Sequence, residues 1–179
     1  MGRPGAGPTF VLCGARVGLA PLDCRLLAEY QTWINDPCVR RGRGVRAVFT
    51  LEAVEAWCDA AAGPSQVAFT LYDLSDLTPV GISELRDISP TFGTAGFAIS
   101  LGLRRGQGLG TEATRLTLEW AFRVLCLHNV MLEVRDWNVA AITAYERAGF
   151  RSIGTRRGTT FTDGERGDEL LMDAIPEIG

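Results

Sequence analysis

Lysine is absent from this sequence; all 18 of its basic residues are arginine. That excludes a lysine nucleophile or Schiff base and the phosphate loop G-x-x-x-x-G-K-[ST]. Histidine is almost absent. His128 stands alone and cannot build a zinc site, so no metal is expected. No run of 18 apolar residues exists, which argues against a transmembrane helix and a membrane partner. The apolar stretch from Phe10 is broken at Arg16, too early for a signal peptide. No C-x-x-C pair occurs among Cys13, Cys24, Cys38, Cys58 and Cys126, and their number is odd. This predicts a reduced, cytoplasmic setting, with the thiols acting as small buried hydrophobes. Excess positive charge is also missing. With 21 acidic residues the net charge is −3, which argues against nucleic acid and mildly favours cationic partners such as amines.

What is present is an ordinary globular composition: 179 residues, 46% apolar and 22% charged. One domain over 9–176 is expected, after a flexible Gly/Pro tail at 1–8. Phe10 to Leu19 reads as a strand. Asp23 caps a helix running to about Ile34, which Asn35-Asp36-Pro37 ends. Arg40 to Arg46 has four arginines, two glycines and no apolar period, so it reads as a mobile loop. Thr50 opens a helix to about Ala62. Gln66 to Tyr72, Pro79 to Leu85 and Thr94 to Leu101 form an antiparallel meander. A helix from Thr111 to about Leu127, a buried strand Val130 to Val134 and a helix from Asn138 to about Arg147 follow. Phe150 to Phe161 and Asp168 to Ala174 close the chain around the turn signal Asp163-Gly164.

Two segments carry chemistry. Arg105-Gly106-Gln107-Gly108-Leu109-Gly110 lies between a strand and a helix. Its glycines let backbone approach a ligand, and the new helix offers free N–H groups and a positive dipole end. That suits a pyrophosphate. The spacing is G-x-G-x-G, not the dinucleotide pattern G-x-G-x-x-G. A plain glycine turn with no ligand remains the alternative. In the second segment Glu133 sits on a strand, Asn138 starts the next helix and Tyr145 lies two turns in on the same face. The alternatives are a surface charge, a simple cap and core packing.

Phe97 to Phe150 resembles the GNAT acetyltransferase superfamily. Arg105-x-x-Gly108-x-Gly110 is similar to its [RQ]-x-x-G-x-[GA] signature. Asn138-x-x-Ala141-x-x-x-Tyr145-Glu146-x-x-Gly149-Phe150 is similar to its second signature. Trp33-Ile34-Asn35-Asp36-Pro37 and Asp168-Glu169-Leu170-Leu171-Met172 further resemble the ribosomal-protein and aminoglycoside branches. The resemblance implies one α/β domain with a mixed, mostly antiparallel sheet flanked by helices. The strands at Thr94 and Val130 should be parallel across a right-handed helical crossover. It also implies acetyl-CoA as acyl donor. Backbone from Arg105 through Thr111 would hold the pyrophosphate, Ser100 and Leu101 would pair with pantetheine, and Asn138 would bond the cofactor. Tyr145 would protonate the leaving thiolate. Glu133-Val134-Arg135-x-x-Asn138 matches the ribosomal-protein alanine enzymes, whose Glu is the proposed base; Glu84 is the second candidate.

Such a carboxylate would free an ammonium for direct attack, with strand N–H groups meeting the developing oxyanion. The acceptor stays open between a protein α-amine, a polyamine or other small metabolite, and an antibiotic amine. Arg40 to Arg46 would not suit a polycation if it bordered the site; it could instead reach the CoA phosphate or an acidic substrate, with a solvated loop as the plainer reading. A homodimer is compatible with the resemblance. An idle CoA-binding sensor is the alternative from another class.

Overall fold

The computed structural model describes residues 7–61, 63–162 and 164–176. Most of the expected tail, and Asp163 of the expected turn signal, lie outside them.

The described chain forms one eight-stranded sheet in the order β1-β2-β3-β4-β5-β6-β8-β7. The strands are β1 (Leu12–Cys13), β2 (Val17–Pro21), β3 (Val67–Asp73), β4 (Thr78–Ser89), β5 (Thr94–Leu101), β6 (Asn129–Arg135), β7 (Arg151–Thr162) and β8 (Glu165–Ala174). The helices are α1 (Leu27–Asn35), α2 (Pro37–Arg43), α3 (Leu51–Ala60), α4 (Leu109–Arg123) and α5 (Val139–Ala148). Every strand pair is antiparallel except β5 and β6, which are parallel and joined through α4. The mixed, mostly antiparallel architecture expected from the sequence is therefore present.

Alternation along the strands sorts the two faces. Leu85, Phe97 and Leu132 point to α4 and α5, where they pack with Leu118, Ala121 and Phe150. Ile82 points the other way, to Tyr30 and Trp33 of α1 and Val54 of α3. Val17, Leu19, Phe69 and Leu71 complete the core against Leu109, Ala113 and Leu116 of α4. No helix among the described residues is long and apolar enough to cross a membrane.

Three expectations are corrected. Phe10 to Leu19 is not one strand; β1 and β2 pair as a hairpin, Leu12 opposite Leu19. The turn is fixed from far away in sequence, because Glu112 Oε1 accepts from the Arg16 N–H at 2.8 Å. Arg40 to Arg46 is not all loop, since α2 continues through Arg43. Asp36 caps it through Oδ1, accepting from the N–H groups of Cys38 and Val39, and Pro37 takes the first turn where no donor is needed. Gly44 ends it at φ +65. The cysteines are not a buried set either: Cys13, Cys24, Cys38 and Cys126 are exposed and only Cys58 is half-buried. A smaller shift occurs at α4, which runs from Leu109 to Arg123 and stops short of Leu127, leaving Val124 54% exposed.

Arg104, just before the glycine loop, has φ +55 and ties that loop to the turn after β3. It pairs with Asp73 and Asp76, both at 2.5 Å. Asp73 is held far below the usual carboxylate range by its bonds from Ser75 and then by Arg104. Asp76 is lowered to about 2, chiefly by Arg104. Folded-state values below the unfolded ones stabilise the fold above the unfolded value, and that stabilisation is lost as pH falls through the folded values. Melting temperature should therefore drop as pH falls from 4 to 2, and Arg104→Gln should shrink that drop. Circular dichroism melts across this window check it; an unchanged pH slope in the variant would remove the linkage.

Candidate active site

β5 and β6 pair at only three positions, Thr94 with Asn129, Ala95 with Val130 and Gly96 with Met131. Beyond Gly96 the strands part. A cavity of about 850 Å³ fills the gap, lined by residues 97–101 of β5, Glu133 to Arg135 of β6, the glycine loop and the inner face of α5. It passes through the sheet. Its α4/α5 side holds Thr111, Asn138 and Tyr145, and its α2 side holds Arg43, Glu133 and Glu169.

The glycine loop is shaped for its place. Gly106 and Gly108 have φ +76 and +85, and Gly108 is the N-cap of α4. A side chain would meet little there: nothing lies within 4 Å of a Cβ at Gly106, and only Arg16 Nη1 lies 4.0 Å from one at Gly108. Left-handed backbone rather than crowding asks for glycine. Open space over the N–H groups of a fifteen-residue helix fits an anionic group. Arg105 donates from Nε to the Leu101 carbonyl at 2.7 Å and pairs with Asp36 at 3.1 Å, fixing the loop to both β5 and α2. Gly108→Asp should abolish calorimetric binding of acetyl-CoA, a loss of at least about tenfold, because it sets a carboxylate against the diphosphate. Gly108→Ala separates strain from charge. If Asp binds no worse than Ala, the loop does not hold the anion.

Tyr145 stands on α5 with its ring edge-on to Phe97 at 6.2 Å and to Phe150 at 5.9 Å. Burial pushes its phenol up to about 12, with the Arg43 charge acting in the opposite direction. No described residue hydrogen-bonds its hydroxyl, which is left for whatever enters the cavity. Asn138 caps α5, its Oδ1 accepting from the Ala141 N–H at 3.4 Å. Its cap role and its place on the cavity wall coexist.

Three carboxylates lie on the α2 side, and their partners differ. Glu84 is buried, with one oxygen taken by Arg43 and the other by Gln66 at 3.2 Å. Glu169 is buried between Arg135 and Arg156. Glu133 is 43% exposed at its side chain and bonded at Oε1 alone, to Arg156 at 3.2 Å.

Of the residues expected from sequence, Glu133, Tyr145, Ser100, Leu101, Arg105, Gly106, Gly108, Gly110, Thr111 and Asn138 line this cavity. Gln107, Leu109 and Glu84 do not. Gln107 turns to a neighbouring hollow, where its carbonyl accepts from Arg16 at 2.8 Å. Leu109 is buried in the core, and Glu84 lies beneath α2. Sequence reasoning raised the Arg40 to Arg46 segment as a candidate ligand contact but gave Arg43, Arg135 and Glu169 no place in the site, because ion pairs between distant elements leave no local signal. It also missed Cys38, which sits on the rim in α2. Among the described residues no group of three His, Cys, Asp or Glu could hold a metal ion.

Residues 16–151 match the model of the acetyltransferase (GNAT) domain. A probable N-acetyltransferase, YjcK, of Bacillus subtilis is 33% identical over 67 residues, 37% of each chain. Spermidine N(1)-acetyltransferase of Escherichia coli is 31% identical over 93 residues, 51% of this chain and 50% of that one. The matched stretches thus span half or less of these curated relatives. In structure, spermidine N-acetyltransferase from Vibrio cholerae, solved with CoA and spermine, superposes with a TM-score of 0.84 at 21% identity, covering 90% of this chain and 96% of that one. A GNAT-family acetyltransferase from Bacillus anthracis gives 0.78 at 17% identity, covering 93% and 98%.

Proposed function

The chain belongs to the GNAT acetyltransferase family, and from that premise we propose that it transfers an acetyl group from acetyl-CoA to a primary amine by direct attack. The observation that carries this is one cavity that joins the glycine-lined N-terminus of α4 to a phenol on one side of the sheet and a half-free carboxylate on the other. Acetyl-CoA supplies the activated acyl group, with its diphosphate at the N–H groups of residues 106–111. Ser100 and Leu101 stand at the unpaired end of β5, where pantetheine can add as a strand.

Glu133 is the base in this reading. One of its oxygens has no partner among the described residues, whereas both oxygens of Glu84 and of Glu169 are taken. An ammonium that enters from the α2 side gives its proton to Glu133, directly or through water. Tyr145, opposite, keeps its proton at neutral pH and can give it to the departing sulfur. Glu84 holds Arg43 and α2 in place. Relatives that include spermidine N-acetyltransferases put polyamines on the acceptor panel, beside other small amines and a protein N-terminus.

Thiol release from acetyl-CoA across a panel of primary amines tests the reading. Amine-dependent release is expected. Tight CoA binding by calorimetry with no release from any amine would favour a CoA-binding sensor instead.

A further inference from the structure

Charge on the acceptor side of the cavity narrows the substrate. Strand registers place Glu84 and Arg86 of β4, Ser100 of β5, Glu133 and Arg135 of β6 and Glu169 of β8 on one face of the sheet, the face that α2 roofs. Arg156 of β7 pairs beside Glu169 on the same face. Arg43 reaches down from α2 to Glu84 and to Ser100 Oγ, the latter at 3.3 Å. Four guanidinium groups therefore surround three carboxylates.

Every carboxylate here is already bonded to a guanidinium. Glu84 is bonded to Arg43, Glu169 to Arg135 and Arg156, and Glu133 to Arg156. The guanidinium groups are not all so occupied. Arg86 lines the cavity from an exposed position with no ion pair among the described residues. Arg43 spends one arm on the long bond to Ser100 Oγ. A polyamine brings at least one ammonium beyond the reacting one, and each needs a carboxylate that is not neutralised. The spare capacity here is of the opposite sign, and guanidinium groups are suited to carboxylates.

Resting on the acetyl-transfer reading above, we infer that the acceptor is an amine that also carries a carboxylate, an amino-acid-like molecule, and not a polyamine. Its amine lies at Glu133 and its carboxylate at Arg86 and Arg43. At the Arg86–Gly96–Met131 row β4 and β6 are two strand spacings apart, roughly 10 Å between backbones, and Glu133 lies two residues further along β6, where the gap widens. Long side chains leaning in from both leave room for a short amino acid.

The test uses matched acceptors read by thiol release: glycine, β-alanine and γ-aminobutyrate, each against its carboxamide, together with spermidine and spermine. The carboxylate member should exceed its amide by about 10- to 100-fold in kcat/KM, the span of one charged hydrogen bond. Arg86→Gln should bring that ratio towards one. Arg43→Gln would unpair buried Glu84 and risk the fold, so Arg43→Lys is the second variant; it keeps the charge, loses the fork and should lower the ratio. Spermidine as the better acceptor, equal rates for acids and amides, or a ratio untouched in both variants overturns the inference. So does turnover of no carboxylate-bearing amine while calorimetry shows acetyl-CoA bound, an outcome that leaves the donor site standing. Absence of acetyl-CoA binding strikes instead at the acetyl-transfer reading itself.

Discussion

Glu133→Gln is expected to lower kcat by about 10²–10⁴-fold, the range for loss of a general base. The substitution keeps the size and polarity of the side chain and removes only its capacity to hold a proton. Its effect on folding should be small. Glu133 and Arg156 are both substantially exposed, and their ion pair is a surface pair at 3.2 Å, of a kind that adds about 0–1 kcal/mol. Glu84→Gln should behave differently. It weakens the seat of Arg43 without touching the cavity wall, so the fall should be smaller and lie mostly in the KM for the amine. A pH profile alone would not separate the two, because ionisation of the substrate amine gives a similar rise. Steady-state kinetics of both variants at one pH will. An inactive Glu84→Gln beside an active Glu133→Gln reverses the assignment, and full activity in both means that water or backbone carries the proton.

Tyr145→Phe isolates the acid with little disturbance to structure. The ring contacts with Phe97 and Phe150 remain. The lost hydroxyl bonds no described residue, so its removal leaves no partner stranded. Turnover should nevertheless fall by about 10²–10⁴-fold, towards the low end because a thiolate can leave unaided. Acetyl-CoA affinity, read by calorimetry, should hardly change. With the phenol pushed up to about 12 by burial, the proton is in place at every working pH. Any inflection in kcat between pH 6 and 10 belongs to the base or the amine. Wild-type turnover in the phenylalanine variant would reduce Tyr145 to a packing residue.

The stretch from β5 to α5 was readable in the sequence because local rules govern it. β5 begins and ends where alternation predicts. Asn138 caps α5 and Gly149 ends it at φ +112, as its C-terminal stop requires. The same rules failed at α2. Its arginines have no apolar period, so nothing in a window of neighbours marks a helix. Asp36 and Pro37 start it, and the pairing of Arg43 with Glu84, 41 residues away, holds its end in place. The β1–β2 turn failed for a like reason, since Glu112 lies 96 residues from Arg16. At the site, the glycine loop, Glu133 and Tyr145 were legible from motif and spacing. The choice between Glu133 and Glu84 was not. The proposed choice rests on which oxygens are already taken, and that follows from α2 and from the β7–β8 register with its two irregularities.

The three-position contact between β5 and β6 also has a mechanical meaning. A sheet normally carries load sideways through its hydrogen-bond ladder. Here that ladder is cut to a short hinge, so β1 to β5 form one plate and β6 to β8 another. What keeps the plates in line is the α4 crossover and the aromatic wedge of Phe97, Tyr145 and Phe150 beneath the gap. This short β5–β6 ladder thus ends at the cavity proposed as the reaction centre. A small rocking of one plate against the other would change the width of the gap without breaking the ladder inside either plate. The spacing between the Tyr145 and Glu133 sides of the cavity would then depend on packing under the gap, and a change of volume at Phe97, which both packs there and lines the cavity, would alter that spacing together with the cavity wall.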